Sequence, residues 1–263
     1  MKKAIVWGGG ALVIALALWW IGGIIFQDPH VAQGRTLFEY YCAHCHGVKG
    51  RGDGYNAEFM DPRPRDLTDR VETTLGDMSN EQIYDTITRD VKEESESTNP
   101  DEDFVPGSMP TFKYTLSDEE RWALVAYVRT LHKNKADKID FTKPMNTTRP
   151  TVEANAKVDL ASMTPTQRDK LVEQGDHLYH KKFMCQSCHR IGDKGGKVGP
   201  NLSRSGFRLN SQWIYHWTKY PQAIREDTKM PSFGMTDDEA IAVTAYLNTQ
   251  RADIVLPPVA PTP

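Results

Sequence analysis

Cys42-Ala43-His44-Cys45-His46 and Cys185-Gln186-Ser187-Cys188-His189 are the two segments on which the reading of this chain turns. They hold all four cysteines of the 263 residues, each pair written C-x-x-C and followed directly by His. A disulfide scaffold has no reason to place a His there twice, and a zinc site would want a second ligand pair close by, which neither segment has. Two thiols separated by two residues can instead bond the two vinyl groups of one porphyrin, and the adjacent His is then aimed at the iron from one face. The spacing predicts two covalently bound haem c groups, one through Cys42 and Cys45 and one through Cys185 and Cys188. His46 and His189 are the predicted proximal ligands.

Outward from these segments the chain repeats itself. Gln33-Gly34 and Gln174-Gly175 each open a helix that carries an aromatic four residues after the Gly, Phe38 in one copy and Tyr179 in the other. The first copy reaches Cys42 eight residues after its Gly, and the second takes ten to reach Cys185. Downstream, Ser117-Asp118-Glu119-Glu120 and Thr236-Asp237-Asp238-Glu239 read as capping boxes, a hydroxyl N-cap with Glu at the third helical position. Each starts a helix with apolar residues at helical spacing: Trp122, Val125, Ala126, Val128 and Leu131 in the first, Ile241, Ala242, Ala245 and Leu247 in the second. Two domains of one design are therefore expected.

The sixth iron ligand is narrowed by order within the repeat. Nine Met and six further His compete for two positions, but Met109-Pro110-Thr111-Phe112 and Met230-Pro231-Ser232-Phe233 share the pattern M-P-x-F just before the capping boxes. Met109 and Met230 are the expected distal ligands. Met235 and His216 compete in the second copy. Met78 reads as an apolar residue at the helix start Ser79-Asn80-Glu81. His44 is expected to face outward, and His30, His132, His177 and His180 read as surface residues.

The ends and the middle of the chain have other characters. Ala4 to Phe26 is a run of 23 uncharged residues after Lys2 and Lys3, about 34 Å long as a helix against a hydrocarbon core of about 30 Å. It is too long for the apolar part of a cleaved signal peptide. Residues 1–28 are thus expected to form a single-pass transmembrane anchor, with Lys2 and Lys3 cytoplasmic and the rest on the periplasmic side of the inner membrane. Residues 29–132 are the first expected domain, 133–167 a linker without sustained period, 168–252 the second domain and 253–263 a Pro-rich extended tail. The run from Asp90 to Asp103 is acidic and has no counterpart in the second copy. A net charge of -3 with no Lys/Arg block argues against a nucleic-acid partner. The mean hydropathy of -0.56 describes a water-exposed body behind the apolar start.

With these motifs in place, the body resembles two class I cytochrome c domains in tandem, over about residues 31–132 and 168–250. The resemblance implies an all-α fold in which a helix with Gly-x-x-x-aromatic leads into CxxCH and M-P precedes a C-terminal helix that packs across it. It also implies a loop whose Pro carbonyl accepts a hydrogen bond from the proximal His. Val198-Gly199-Pro200-Asn201-Leu202 is similar to that loop, so Pro200 would serve His189, and Pro62 or Pro64 would serve His46. The Gly-rich Gly50-Arg51-Gly52-Asp53-Gly54 is similar to another loop of the family. With His and Met on both irons no position is open for a small-molecule substrate, so the expected role is electron relay between a membrane complex of bc type, an oxidase or a soluble cytochrome. A fixed cytochrome subunit of a quinol-oxidising or oxidase complex and a diheme peroxidase are the alternatives.

Overall fold

Two helices that cross at a glycine carry each half of the molecule. The structure is a computed structural model describing residues 28–60, 62–68, 74–90, 109–132 and 138–252. The expected anchor up to residue 27, the acidic residues 91–103 and the tail from 253 lie outside the described residues. Among the described residues no helix is long and apolar enough to cross a membrane.

In the first half, helix α1, Pro29–Leu37, starts where the Asp28 carboxylate accepts from the His30 amide (2.9 Å) and a Pro takes the first position. It widens into a π-helical turn, Phe38–Cys42, and resumes as α2, Ala43–His46. Helix α3, Asn80–Thr88, and helix α4, Asp118–Val128, follow, both started by capping boxes, Ser79 with Gln82 and Ser117 with Glu120. Helices α1 and α4 pack on each other. A Cβ at Gly34 would stand 1.9 Å from the Ala123 carbonyl oxygen, so only glycine permits this crossing. Phe38 is buried just beyond it with its ring 5.2 Å from that of Tyr127. Burial of such a ring contributes about 2 kcal/mol.

The second half repeats the construction. Helix α5, Pro165–His177, is capped by Thr164 and Gln167 and again widens into a π-helical turn, Leu178–Lys182. A single 3₁₀ turn, Cys185–Ser187, leads to the short antiparallel strands β1, Arg190–Ile191, and β2, Lys194–Gly195. Helices α6, Ser205–Arg208, α7, Ser211–Lys219, and α8, Asp237–Thr249, complete the domain. Helix α5 crosses α8, and a Cβ at Gly175 would lie 2.0 Å from the Ala242 carbonyl oxygen. Tyr179 and Tyr246 repeat the ring pair at 5.2 Å. The described fold is mostly helical, with one small hairpin that the sequence pattern does not announce.

The two extra residues before Cys185 are absorbed locally. In the first half the π-helical turn ends on Cys42 itself, whereas in the second it ends at Lys182 and is followed by Phe183 and Met184. Met184 takes a left-handed conformation (φ 47°) that turns the chain into the Cys185 segment. This conformation costs a non-glycine residue about 1–2 kcal/mol.

The stretch between the domains is docked on both. Arg149 grips the Glu120 carboxylate with Nε at 3.0 Å and Nη2 at 2.7 Å. Ile139 packs on the first core, and Ala154, Ala156 and Val158 pack on the second. The Ala156 amide donates to the Tyr215 hydroxyl (3.1 Å) and the Val158 amide to Gln212 Oε1 (2.9 Å). Several of its backbone groups, at Pro150, Ala156 and Val158, are thus paired with side chains of the second domain.

Candidate haem sites

At the first site, the π-helical turn and α2 place Cys42, Cys45 and His46 on one wall of a cavity of about 780 Å³. That lies within the range of cofactor sites, about 300–1,000 Å³. Phe38, Leu124 and Val128 give it apolar walls, and Met109 lines the side contributed by the M-P-x-F loop. Met78, read from the sequence as a residue of a helix start, lines the cavity too, with its sulfur 3.9 Å from Arg65 Nη1. Burial pushes the Cys42 thiol up to about 12 and raises that of Cys45.

The His46 ring is oriented by backbone. Its Nδ1 lies 3.0 Å from the Arg65 carbonyl oxygen. A carbonyl only accepts, so Nδ1 carries the proton and Nε2 keeps its lone pair for a metal. Burial lowers the pKa of this ring, which favours the neutral form. The acceptor is the residue after Pro64, not Pro62 or Pro64. The Leu67 amide donates to the Gly50 carbonyl (2.6 Å), and this tie between the two loops sets which carbonyl faces the ring.

The second site shares the same elements in shorter form. His189 Nδ1 lies 2.9 Å from the Pro200 carbonyl oxygen, and burial lowers this ring's pKa as well. Burial pushes the Cys185 and Cys188 thiols up to about 12. The hairpin β1–β2 occupies the loop after His189, and the Gly199 amide donates to the Cys188 carbonyl (2.9 Å). The Met230 sulfur accepts from Trp217 Nε1 at 3.1 Å, and its carbonyl accepts from Gln222 Nε2 at 2.8 Å. Met235 is buried in the core of the second domain. His216 faces Gln212 Nε2 at 3.0 Å.

Both M-P-x-F loops are anchored by the residue at x. The Thr111 hydroxyl donates to the Thr88 carbonyl at the end of α3 (3.1 Å), and the Ser232 hydroxyl donates to the Lys219 carbonyl at the end of α7 (2.9 Å). Sequence reasoning passed over these hydroxyls, although a hydroxyl at x in both copies was a signal. Two histidines also differ from expectation. His132 is buried. His44 is partly buried, and desolvation first and Lys229 of the second domain next bring its pKa down to about 4.

A pair of thiols beside a His whose Nδ1 faces a backbone carbonyl, set in an apolar helical cradle, suits a covalently held haem. The geometry, present twice, defines a c-type haem protein. Residues 31–132 match the family Cytochrome c, and residues 170–247 match Cytochrome C oxidase, cbb3-type, subunit III. The chain thus belongs to the c-type cytochromes: it has two cytochrome c domains and carries two covalent haems. Among solved structures it is similar to a chain of the reducing HAO-like protein complex of Kuenenia stuttgartiensis, at 20% identity over 83% of this chain and 96% of that one, with a TM-score of 0.27. A search of curated proteins found no match.

Proposed function

We propose that this diheme cytochrome is a membrane-tethered relay on the periplasmic side, with His46 and Met109 closing one iron and His189 and Met230 the other. The repeated frame carries the reading. Each domain has a thiol pair, a His held through Nδ1 by a carbonyl (3.0 and 2.9 Å) and a Met-Pro loop anchored on the preceding helix (3.1 and 2.9 Å). A bound haem supplies reversible one-electron exchange at its iron. The protein's part is to keep that exchange clean. Leu124 and Val128 help exclude water from the first cavity, and the carbonyl bond fixes each imidazole and raises its basicity. Met230 is favoured as the second distal ligand by its place in the repeated M-P-x-F loop, whose Ser232 is tied to the end of α7 as Thr111 is tied to the end of α3. Met235 lies in the core.

The apolar run from Ala4 to Phe26 supports the tether. A tethered carrier samples only the membrane face and meets quinol-oxidising complexes and oxidases there at raised effective concentration. The test is electron transfer from a bc-type complex to an oxidase in vesicles that hold the full chain. Rates should fall when residues 1–27 are removed, and equal rates would refute the tether. The match of residues 170–247 to an oxidase subunit family favours a second reading, a fixed cytochrome subunit of a terminal oxidase. Co-purification with oxidase subunits in mild detergent would select it.

A further inference from the structure

The two haem-attachment segments meet across the domain interface at one buried side chain, Asn56. It is fully buried, and its backbone amide donates to the His44 carbonyl at 2.9 Å. Its Nδ2 lies 3.8 Å from Cys45 Sγ and donates to the carbonyl of Ser187, the residue before Cys188. Its Oδ1 accepts from the Lys197 amide of the second domain at 3.1 Å. The fit leaves no slack, since a Cβ at Gly196 would lie 2.0 Å from the Ser187 oxygen and 2.6 Å from Asn56 Oδ1. Outside this contact, Lys197 lies over the Phe59 ring (4.8 Å) and pairs with Glu58 at 3.8 Å, both charges well exposed. At a separate contact the buried Ser232 amide donates to Thr115 Oγ1 (2.9 Å), which further fixes the two domains against each other.

We propose that Asn56 is the positioning residue that joins the two haem edges, so that an electron arriving at one haem crosses to the other inside the chain. The thioether sulfurs are where the porphyrins attach. The route therefore runs from Cys45 through the Asn56 amide to the Ser187 carbonyl and Cys188, with no solvent between. In the step one electron leaves the reduced haem and enters the oxidised one, and no bond or proton changes place. A buried amide satisfied from both domains is also a strict spacer, because removing either partner leaves a desolvated polar group unpaired. This inference rests on the two covalent haems and not on the membrane relay.

Flash photoreduction of dilute, half-reduced protein tests it, because relaxation independent of protein concentration is intramolecular. Asn56→Asp keeps the size of the side chain, removes its N–H donor and places a carboxylate between the sites. It should slow the internal exchange at least tenfold and lower both haem potentials in a potentiometric titration, since negative charge favours the ferric state. Asn56→Leu, which fills the same space with neither amide group nor charge, should also slow the internal exchange, and exchange at the wild-type rate in that variant would show that Asn56 only fills space. Lys197→Glu faces Glu58 with a like charge on the exposed rim, and should slow the exchange several-fold while both haems load normally. The swap Glu58→Lys with Lys197→Glu should restore it. This second set decides the matter if Asn56→Asp loads poorly. Exchange unchanged in Lys197→Glu, or slowed equally in the single and swapped variants, would overturn the proposal. Normal internal exchange without reaction in the vesicle assay would instead count against the relay.

Discussion

The two domains share their helix crossing almost atom for atom and differ in the segments that run from it to the haem. Gly34 on Ala123 and Gly175 on Ala242 bring the backbones to the same separation, and the buried ring pairs Phe38–Tyr127 and Tyr179–Tyr246 both lie at 5.2 Å. The entry to the thiols differs by two residues, taken up at Met184, and the carbonyl facing the proximal imidazole comes 19 residues after His46 but 11 after His189. Close packing of backbone on backbone tolerates no added atom, whereas a loop can lengthen as long as it returns a carbonyl to the ring.

The largest effect should come from the crossings. Gly34→Leu or Gly175→Leu forces a side chain into the facing carbonyl and should cost at least about 3 kcal/mol. A pyridine haemochrome assay should then count one covalent haem instead of two. Two haems at wild-type stability in either variant would break the equivalence of the crossings. Next are the proposed distal ligands: Met109→His and Met230→His should each lower the potential of their own haem by a sizeable part of the ~0.8 V that axial ligands command. An unaltered titration of Met230→His would move the assignment to Met235 or His216.

Smaller effects sharpen the comparison of the loops. Thr111→Val and Ser232→Ala each leave a helix-terminal carbonyl without its hydroxyl and should cost about 1–2 kcal/mol by urea unfolding. Similar losses are expected if the two anchors are equivalent. At Met184, Gly relieves the left-handed strain but loosens the unfolded chain, so Met184→Gly should change stability by less than about 1 kcal/mol. Met184→Val, β-branched at a positive φ, should lower the melting temperature clearly. Equal melting temperatures for the two variants would show that the strained turn carries no cost.

Much of this was legible in the sequence because it is written in side chains at fixed intervals. The glycines with an aromatic four residues on, the capping boxes at Ser117 and Thr236 and the repeated M-P-x-F all carry their chemistry in residue identity. The Arg65 carbonyl was not legible, since any residue offers a carbonyl and only the loop path selects one. Nor was the docking of residues 138–164, where the Ala156 and Val158 amides donate to Tyr215 and Gln212 far along the chain. Asn56 lay outside every motif, because its partners, Ser187 and Lys197, are more than 130 residues away.

Under the proposed function both irons are closed by His and Met and therefore carry electrons without binding substrate. The near-infrared spectrum of the oxidised protein, set against its haem count, tests this most directly. The oxidised protein should show a Met-to-iron charge-transfer band with the intensity of two low-spin haems per chain, halved in Met109→His and halved in Met230→His. Half that intensity in the wild type, or a high-spin signal from either haem, would contradict it.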